Sequence, residues 1–244
     1  MEWSDDAIVL GARAFGESGA IAEVFTQAHG RAGGMVHGGI SRRTRPILQA
    51  GNLVRLTWKA RTGDQLGFFS PLEMVEQHAA RVMEDAAALA GLSSAVALVR
   101  GGAAERQPYP GVFEGLHLLL QHLDDAAVWP ALYARFELGL LAALGYGLDL
   151  SACALTGTTD DLAFVSPRSG RAASREAGAP FADKLLRLPP FLTDAEADVE
   201  EGDVADALAL AGFFLERRLF DPQGVAMPQS RVRLIERLGM AGRL

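Results

Sequence analysis

The stretch Asn52–Arg61, NLVRLTWKAR, alternates as a half-buried β-strand does. Leu53, Arg55, Thr57 and Lys59 fall on one face, and Val54, Leu56, Trp58 and Ala60 on the other. The second set is suited to a core, and the first presents mainly polar and cationic groups. A lone strand has nothing to pair with, and both flanks supply partners. Upstream, AIVLGARAF (7–15) runs into a turn at Gly16–Gly19, and AIAEVFT (20–26) ends at the turn signal HGR. AGGMVHGG (32–39) is a glycine-rich strand, open to bending or close backbone approach. Downstream, the turn TGDQ (62–65) leads into QLGFFSPLEMV (65–75). Five short strands in about 75 residues predict a small antiparallel barrel. An OB-fold is such a barrel, and an SH3-like barrel fits the same count.

From Glu76 the periodicity becomes helical. EQHAARVMEDAAALAGLSSAVALVRGG (76–102) is rich in Ala and Leu and stops at Gly101-Gly102. The segment 109–123 places Phe113, Leu116, Leu120 and Leu123 on one stripe, and 128–147 does the same with Leu132, Phe136, Leu140 and Leu144. Turn residues then interrupt the helices, with a short hairpin expected at LAFVSPRSGRAAS (162–174). Helices are expected again at 180–188, 204–220 and 230–240. The fold class is therefore α+β: a barrel domain over 1–76, and an α-helical domain over 77–244 with a hairpin insertion around 150–178.

Charge narrows the function. The 244-residue chain has a formal net charge of −7, which disfavours coating nucleic acid with its whole surface but leaves room for a local basic patch. Such a patch is visible. No acid occurs between Glu23 and Asp64, while the same window holds Arg31, Arg42, Arg43, Arg45, Arg55, Lys59 and Arg61. Conversely, Leu188–Leu215 has no base and seven acids, from Asp194 to Asp206. Arg42, Arg43 and Arg45 fall in the loop between the third and fourth strands, and both they and the Arg55/Thr57/Lys59 face would border one groove of an OB barrel. Guanidinium forks suit phosphate oxygens. Nucleic acid, an acidic protein partner and a solvated face all remain open on composition. Aromatics that might stack on bases (Phe15, Phe25, Trp58, Phe68, Phe69) are few, and several are suited to the core, so backbone binding is favoured over base reading. Arg168 and Arg171, with Arg175, form a smaller basic group in the hairpin, and Arg231, Arg233 and Arg237 another on the last helix; both read as ordinary surface features, the second able to extend an anion-binding surface.

Catalytic signatures are lacking: there is no G-x-S-x-G, Walker A, H-E-x-x-H or G-x-G-x-x-G. The adjacent Asp160 and Asp161 suit a turn better than a converging acid–base pair. His117 and His122 are five apart, the wrong spacing for two metal ligands on one helix face. The single cysteine, Cys153, allows no internal disulfide, which fits a reducing cytosol. No run is long and apolar enough for a membrane span, and MEWSDDAIVL lacks the basic region of a secretory signal. A non-enzymatic, cytoplasmic protein with no cofactor is expected.

Taken in order, several pieces resemble the bacterial RecO family of recombination mediators over essentially the whole chain. They are AIVLGARAFGESGAIAEVFT, HGRAGGMVHGGISRRTRPILQAGNLVRLTWKAR, LGFFSPLE, YARFELGLLAALGYGLDLSAC, CALTGTTDDLAFVSPRSGRAAS and RRLFDPQGVAMPQSRVRLIERL. The resemblance implies an N-terminal OB-fold and an α-helical C-terminal domain. It implies binding of single- and double-stranded DNA, annealing of complementary strands and, with RecR, loading of RecA onto DNA coated by single-strand-binding protein (SSB). It also implies contact between the helical domain and the C-terminal tail of SSB, in an apolar groove near a base such as Arg135. Some members hold zinc with four cysteines. Here CALTG keeps Cys153 but has Thr156 where a C-x-x-C pair would close, and SGRAASREAG supplies no second pair. The hairpin is accordingly expected to be a degenerate, metal-free zinc-ribbon-like element, held by Leu162, Phe164 and Val165.

Overall fold

The computed structural model describes residues 1–63 and 65–244; Asp64, part of the expected 62–65 turn, lies outside them. The chain divides into two compact units, Met1–Asp124 and Asp125–Leu244. The expected boundary after residue 76 marks the end of the strands, whereas the first compact unit continues through the next three helices.

In the first unit, β1 (Glu2–Phe15), β2 (Gly19–Thr26), β3 (Gly30–Val36), β4 (Leu53–Lys59) and β5 (Gly67–Glu76) form a closed barrel. The order is β1-β2-β3-β5-β4, with β4 returning to β1. Among the described barrel strands, β3 and β5 pair in parallel and the other neighbours antiparallel. This five-stranded closure is OB-like, which decides between the two barrels the strand count allowed. Val54, Leu56 and Trp58 point inward as their alternation predicts, each at most 4% exposed. They meet Phe69 and a lining of small residues, Ala7, Ala20, Ala22 and Ala32. Small residues are needed where Trp58 and Phe69 fill the space: a Cβ on Gly34 would sit 2.8 Å from the Phe69 ring.

The turn into β3 depends on Gly30, at φ +66° and against the chain at Gln107, where a Cβ would lie 2.0 Å from the carbonyl oxygen. Both the conformation and the contact forbid a side chain. Gly30→Ala is expected to cost about 2–4 kcal/mol, read as a lower urea midpoint with far-UV circular dichroism.

Helices follow: α1 (His78–Arg81), α2 (Ala86–Gly102) and α3 (Pro110–His122). The continuous helix expected over 76–102 is broken at Val82–Asp85, because the Asp85 carboxylate caps α2 by accepting from the amides of Ala87 and Ala88. Pro110 opens α3, whose Phe113 ring tilts against Phe25 of the barrel at 6.2 Å.

The second unit holds α4 (Trp129–Ala143), β6 (Leu162–Val165), β7 (Ala172–Ser174), α5 (Arg175–Gly178), β8 (Leu186–Arg187), α6 (Asp203–Phe214) and α7 (Gln229–Met240). The expected hairpin is β6–β7, joined by β8 into a three-stranded sheet in the order β7-β6-β8. The helix expected over 180–188 is not formed. A 3₁₀ turn covers Ala179–Lys184, and Leu186 and Arg187 pair with Val165 and Phe164. Nine residues with Pro180 near the start and Pro189-Pro190 behind make a poor helix, and the open edge of β6 offers backbone partners instead. Val165 is fully buried, and Phe164 packs on Gly178. The buried Cys153 sits in a loop tied by backbone bonds, Cys153 N to Thr158 O at 2.7 Å and Ala154 N to Ala172 O at 2.8 Å.

Arg231 corrects its surface reading. It is 6% exposed and forms a two-pronged ion pair with the fully buried Glu137. The Arg231, Arg233 and Arg237 group is thus not a single patch, since its first member belongs to the core.

Candidate nucleic-acid interface

The Ser41–Leu48 segment presents the arginine-rich loop. Ser41 starts a helical turn: its carbonyl accepts from the Arg45 amide at 2.9 Å and its hydroxyl from the Thr44 amide at 3.2 Å. Leu48, 6% exposed, inserts into the barrel core. Asn52, wholly buried, donates to the Pro46 carbonyl at 2.9 Å and accepts from the Ala79 amide at 3.1 Å. The loop is therefore pinned at its C-terminal end, while Arg42, Arg43 and Arg45 are exposed. None of the three forms an ion pair among the described residues.

The loop stands between two grooves. One, of about 650 Å³, is lined by Arg13, Arg45, Ile40, Gln49 and small residues of β1 and β2, with no carboxylate. The other, of about 490 Å³, includes Arg43, His37, Thr44, Phe69 and Glu73. Beside it the exposed Phe68 stacks on His37, with ring centroids 5.3 Å apart. Phe15 is also exposed, whereas Phe25, Trp58 and Phe69 lie in the core. The sequence reading did not single out Arg13, which lies outside the acid-free window; only the strand pairing brings it to the loop.

Three of the four remaining residues of the window are matched by carboxylates. Arg31 bonds Glu23 at 2.8 Å and the Arg100 carbonyl, and Arg100 holds the other oxygen of Glu23 at 3.0 Å. Arg55 grips Asp6 with two bonds of 2.8 and 2.9 Å, which raises its pKa. Lys59 meets Glu2 at 3.1 Å. The cause is register: β1 pairs with β4 so that Asp6 faces Arg55 and Glu2 faces Lys59. Arg61 is exposed, with no ion pair among the described residues. Leu53 and Thr57 of the supposed polar face are buried, Thr57 bonding the Ser4 hydroxyl at 2.7 Å.

In the second unit, Arg168 is exposed at the hairpin tip, and Arg171 pairs with Asp149 at 3.2 Å. The Ser151 hydroxyl and amide, with Arg171, hold the Asp149 carboxyl below its usual range. Arg135 directs its guanidinium to the carbonyls of Phe191 and Asp194, at 3.0 and 3.1 Å. Among the described residues no helix is long and apolar enough to cross a membrane.

The family described as "Recombination protein O N terminal" matches residues 1–78, and that described as "Recombination protein O C terminal" matches 83–225. The chain belongs to the RecO family. The relative from Phenylobacterium zucineum, named DNA repair protein RecO, is 52% identical over the full length of both chains. Those from Caulobacter sp. strain K31 (49%, full length of both) and Hyphomonas neptunium (48%, 98% of both) carry the same name. With both halves of RecO matched in order, the barrel and the helical region are the two parts of one family architecture.

Proposed function

We propose that this RecO chain acts in recombinational DNA repair by binding the phosphate backbone of single- and double-stranded DNA, with the Arg42–Arg45 turn as its main contact. The observation that carries the reading is a set of exposed arginines, unmatched by carboxylates among the described residues, held on a pinned turn of an acidic chain. Arg13 extends the contact along the carboxylate-free groove, and Arg61, Arg168 and the ion-paired Arg171 are secondary contacts. Arg31, Arg55 and Lys59 contribute less, because their charges are already balanced. The Phe68–His37 stack adds a sequence-tolerant surface for an unpaired base.

On this reading the chain anneals complementary strands by neutralising their phosphates. With RecR it helps RecA replace SSB, and its helical region takes the SSB tail. Family membership is what supports these partners. The test is a titration of wild-type protein with unlabelled and fluorescent single strands of differing sequence across a range of salt. Affinity is expected to fall linearly in log–log form, with a slope near −0.7 for each phosphate contacted and little change between sequences. A flat salt response would sink the proposal. It would favour instead a scaffold whose main ligand is a protein, read by binding of an SSB tail peptide to the same preparation.

A further inference from the structure

The strand-to-helix junction of the first unit gathers a side-chain cluster that DNA binding does not use. Glu76 ends β5, His78 opens α1, and His117 lies on α3. One ligand atom from each of the three lies within 4.8 Å of those of the other two. Glu76 Oε1 is 3.1 Å from His117 Nε2, and Glu76 Oε2 is 3.4 Å from His78 Nε2. The latter contact is misaligned for a hydrogen bond, so both ring nitrogens of the fully buried His78 lack a hydrogen-bond partner among the described residues. A buried imidazole with neither nitrogen satisfied is costly unless something else takes a lone pair.

From this geometry we infer that Glu76, His78 and His117 form a binding site for a divalent transition-metal ion of zinc type. Two imidazoles and a carboxylate are a common zinc donor set, and hard oxygen-seeking cations would not choose it. Bonds of about 2.0–2.1 Å in a tetrahedron place neighbouring donors about 3.3 Å apart; the two histidines here face different oxygens of Glu76, so a small turn of the carboxylate and rings draws the three donors, already within 4.8 Å of one another, onto one ion. Glu76 and His117 are each about one-third exposed or less, so the fourth position opens to water. Ligation through Nε2 requires the tautomer of His117 that carries its ring proton on Nδ1. Gln121, which donates to Glu76 Oε2 at 3.4 Å, steadies the carboxylate from outside. The ion would clamp the last barrel strand to α3. No metal is expected from the sequence anywhere in the chain, on the missing cysteine pairs and on the spacing of His117 and His122; this site departs from that expectation and depends on neither feature.

The full-length protein, stripped with chelator and dialysed, is titrated with zinc and separately with cobalt(II). One equivalent is expected to bind. Cobalt should give tetrahedral d–d absorption without a sulfur charge-transfer band, since Cys153 takes no part. Thermal unfolding should rise by roughly 5–10 °C at saturating zinc. Because His78 is buried and its loss endangers folding, the decisive variants are H117Q and E76Q, which keep size and polarity. Each should fold by circular dichroism, lose at least tenfold in zinc affinity and lose the thermal shift. Failure of the wild type to bind either metal overturns the inference, as does unchanged stoichiometry and affinity in both variants.

Discussion

Reversing Arg42 and Arg43 together, as R42E/R43E, is expected to weaken single-stranded DNA binding by roughly 10- to 100-fold near 0.1 M salt and to flatten the salt slope by about 1.4, two contacts' worth. The loss should be the same for all base sequences, since phosphates carry no sequence information. Folding should be untouched: both side chains are exposed, and the turn is held by Ser41, Leu48 and Asn52, none of which is altered. The control that gives the experiment its force is Arg55→Gln. Asp6 already holds that guanidinium in two hydrogen bonds, so its neutralisation should change affinity by less than about threefold. Equal losses in both variants would mean that DNA responds to the overall charge of the barrel and not to the turn. An unchanged R42E/R43E would remove the turn from the site.

The contrast between Arg42 and Arg55 also shows where the sequence was legible. The alternation of Asn52–Arg61 was enough to set the inward face of β4, because burial on a pleated strand has a period of two and Val54, Leu56 and Trp58 obey it. The arginine-rich turn was legible too, since its flanking glycines and Pro46 are local signals. The acid-free window misled because it measures charge along the chain. Across the barrel, register brings Glu2 and Asp6 beside Lys59 and Arg55, and Glu23, at the window's edge, reaches Arg31. Nothing local announces such pairings. The same holds for Arg13, joined to Arg45 only by the groove, and for His117, whose neighbours Glu76 and His78 are about forty residues away and on different elements. The helix expected at 180–188 failed for a related reason: a free sheet edge outcompeted a weak local propensity.

Arg231→Met is expected to destabilise the helical unit by about 3–5 kcal/mol, the largest stability effect here, because it strands a carboxylate in the core. Glu137 on α4 is fully buried, and both its oxygens are taken by Arg231 of α7 at 2.6 and 2.8 Å. The same guanidinium caps the Leu208 carbonyl of α6 at 2.7 Å, so one side chain ties three helices. Gly212 makes room for it, since a Cβ there would sit 2.7 Å from Nη1. Burial alone would lower the arginine's pKa, yet the charge and hydrogen bonds of Glu137 outweigh it and the net shift is upward. The guanidinium therefore stays charged through the neutral range. Breaking it and removing it are different perturbations. In the double variant Glu137→Leu/Arg231→Met neither charge remains, and apolar groups of similar size fill the space, so most of the lost stability should return. A double-mutant cycle in urea, followed by circular dichroism, separates the two. A coupling of at least about 2 kcal/mol is expected. Additive losses would mean that the arginine matters through its bond to Leu208 and its packing, and that Glu137 tolerates burial without it.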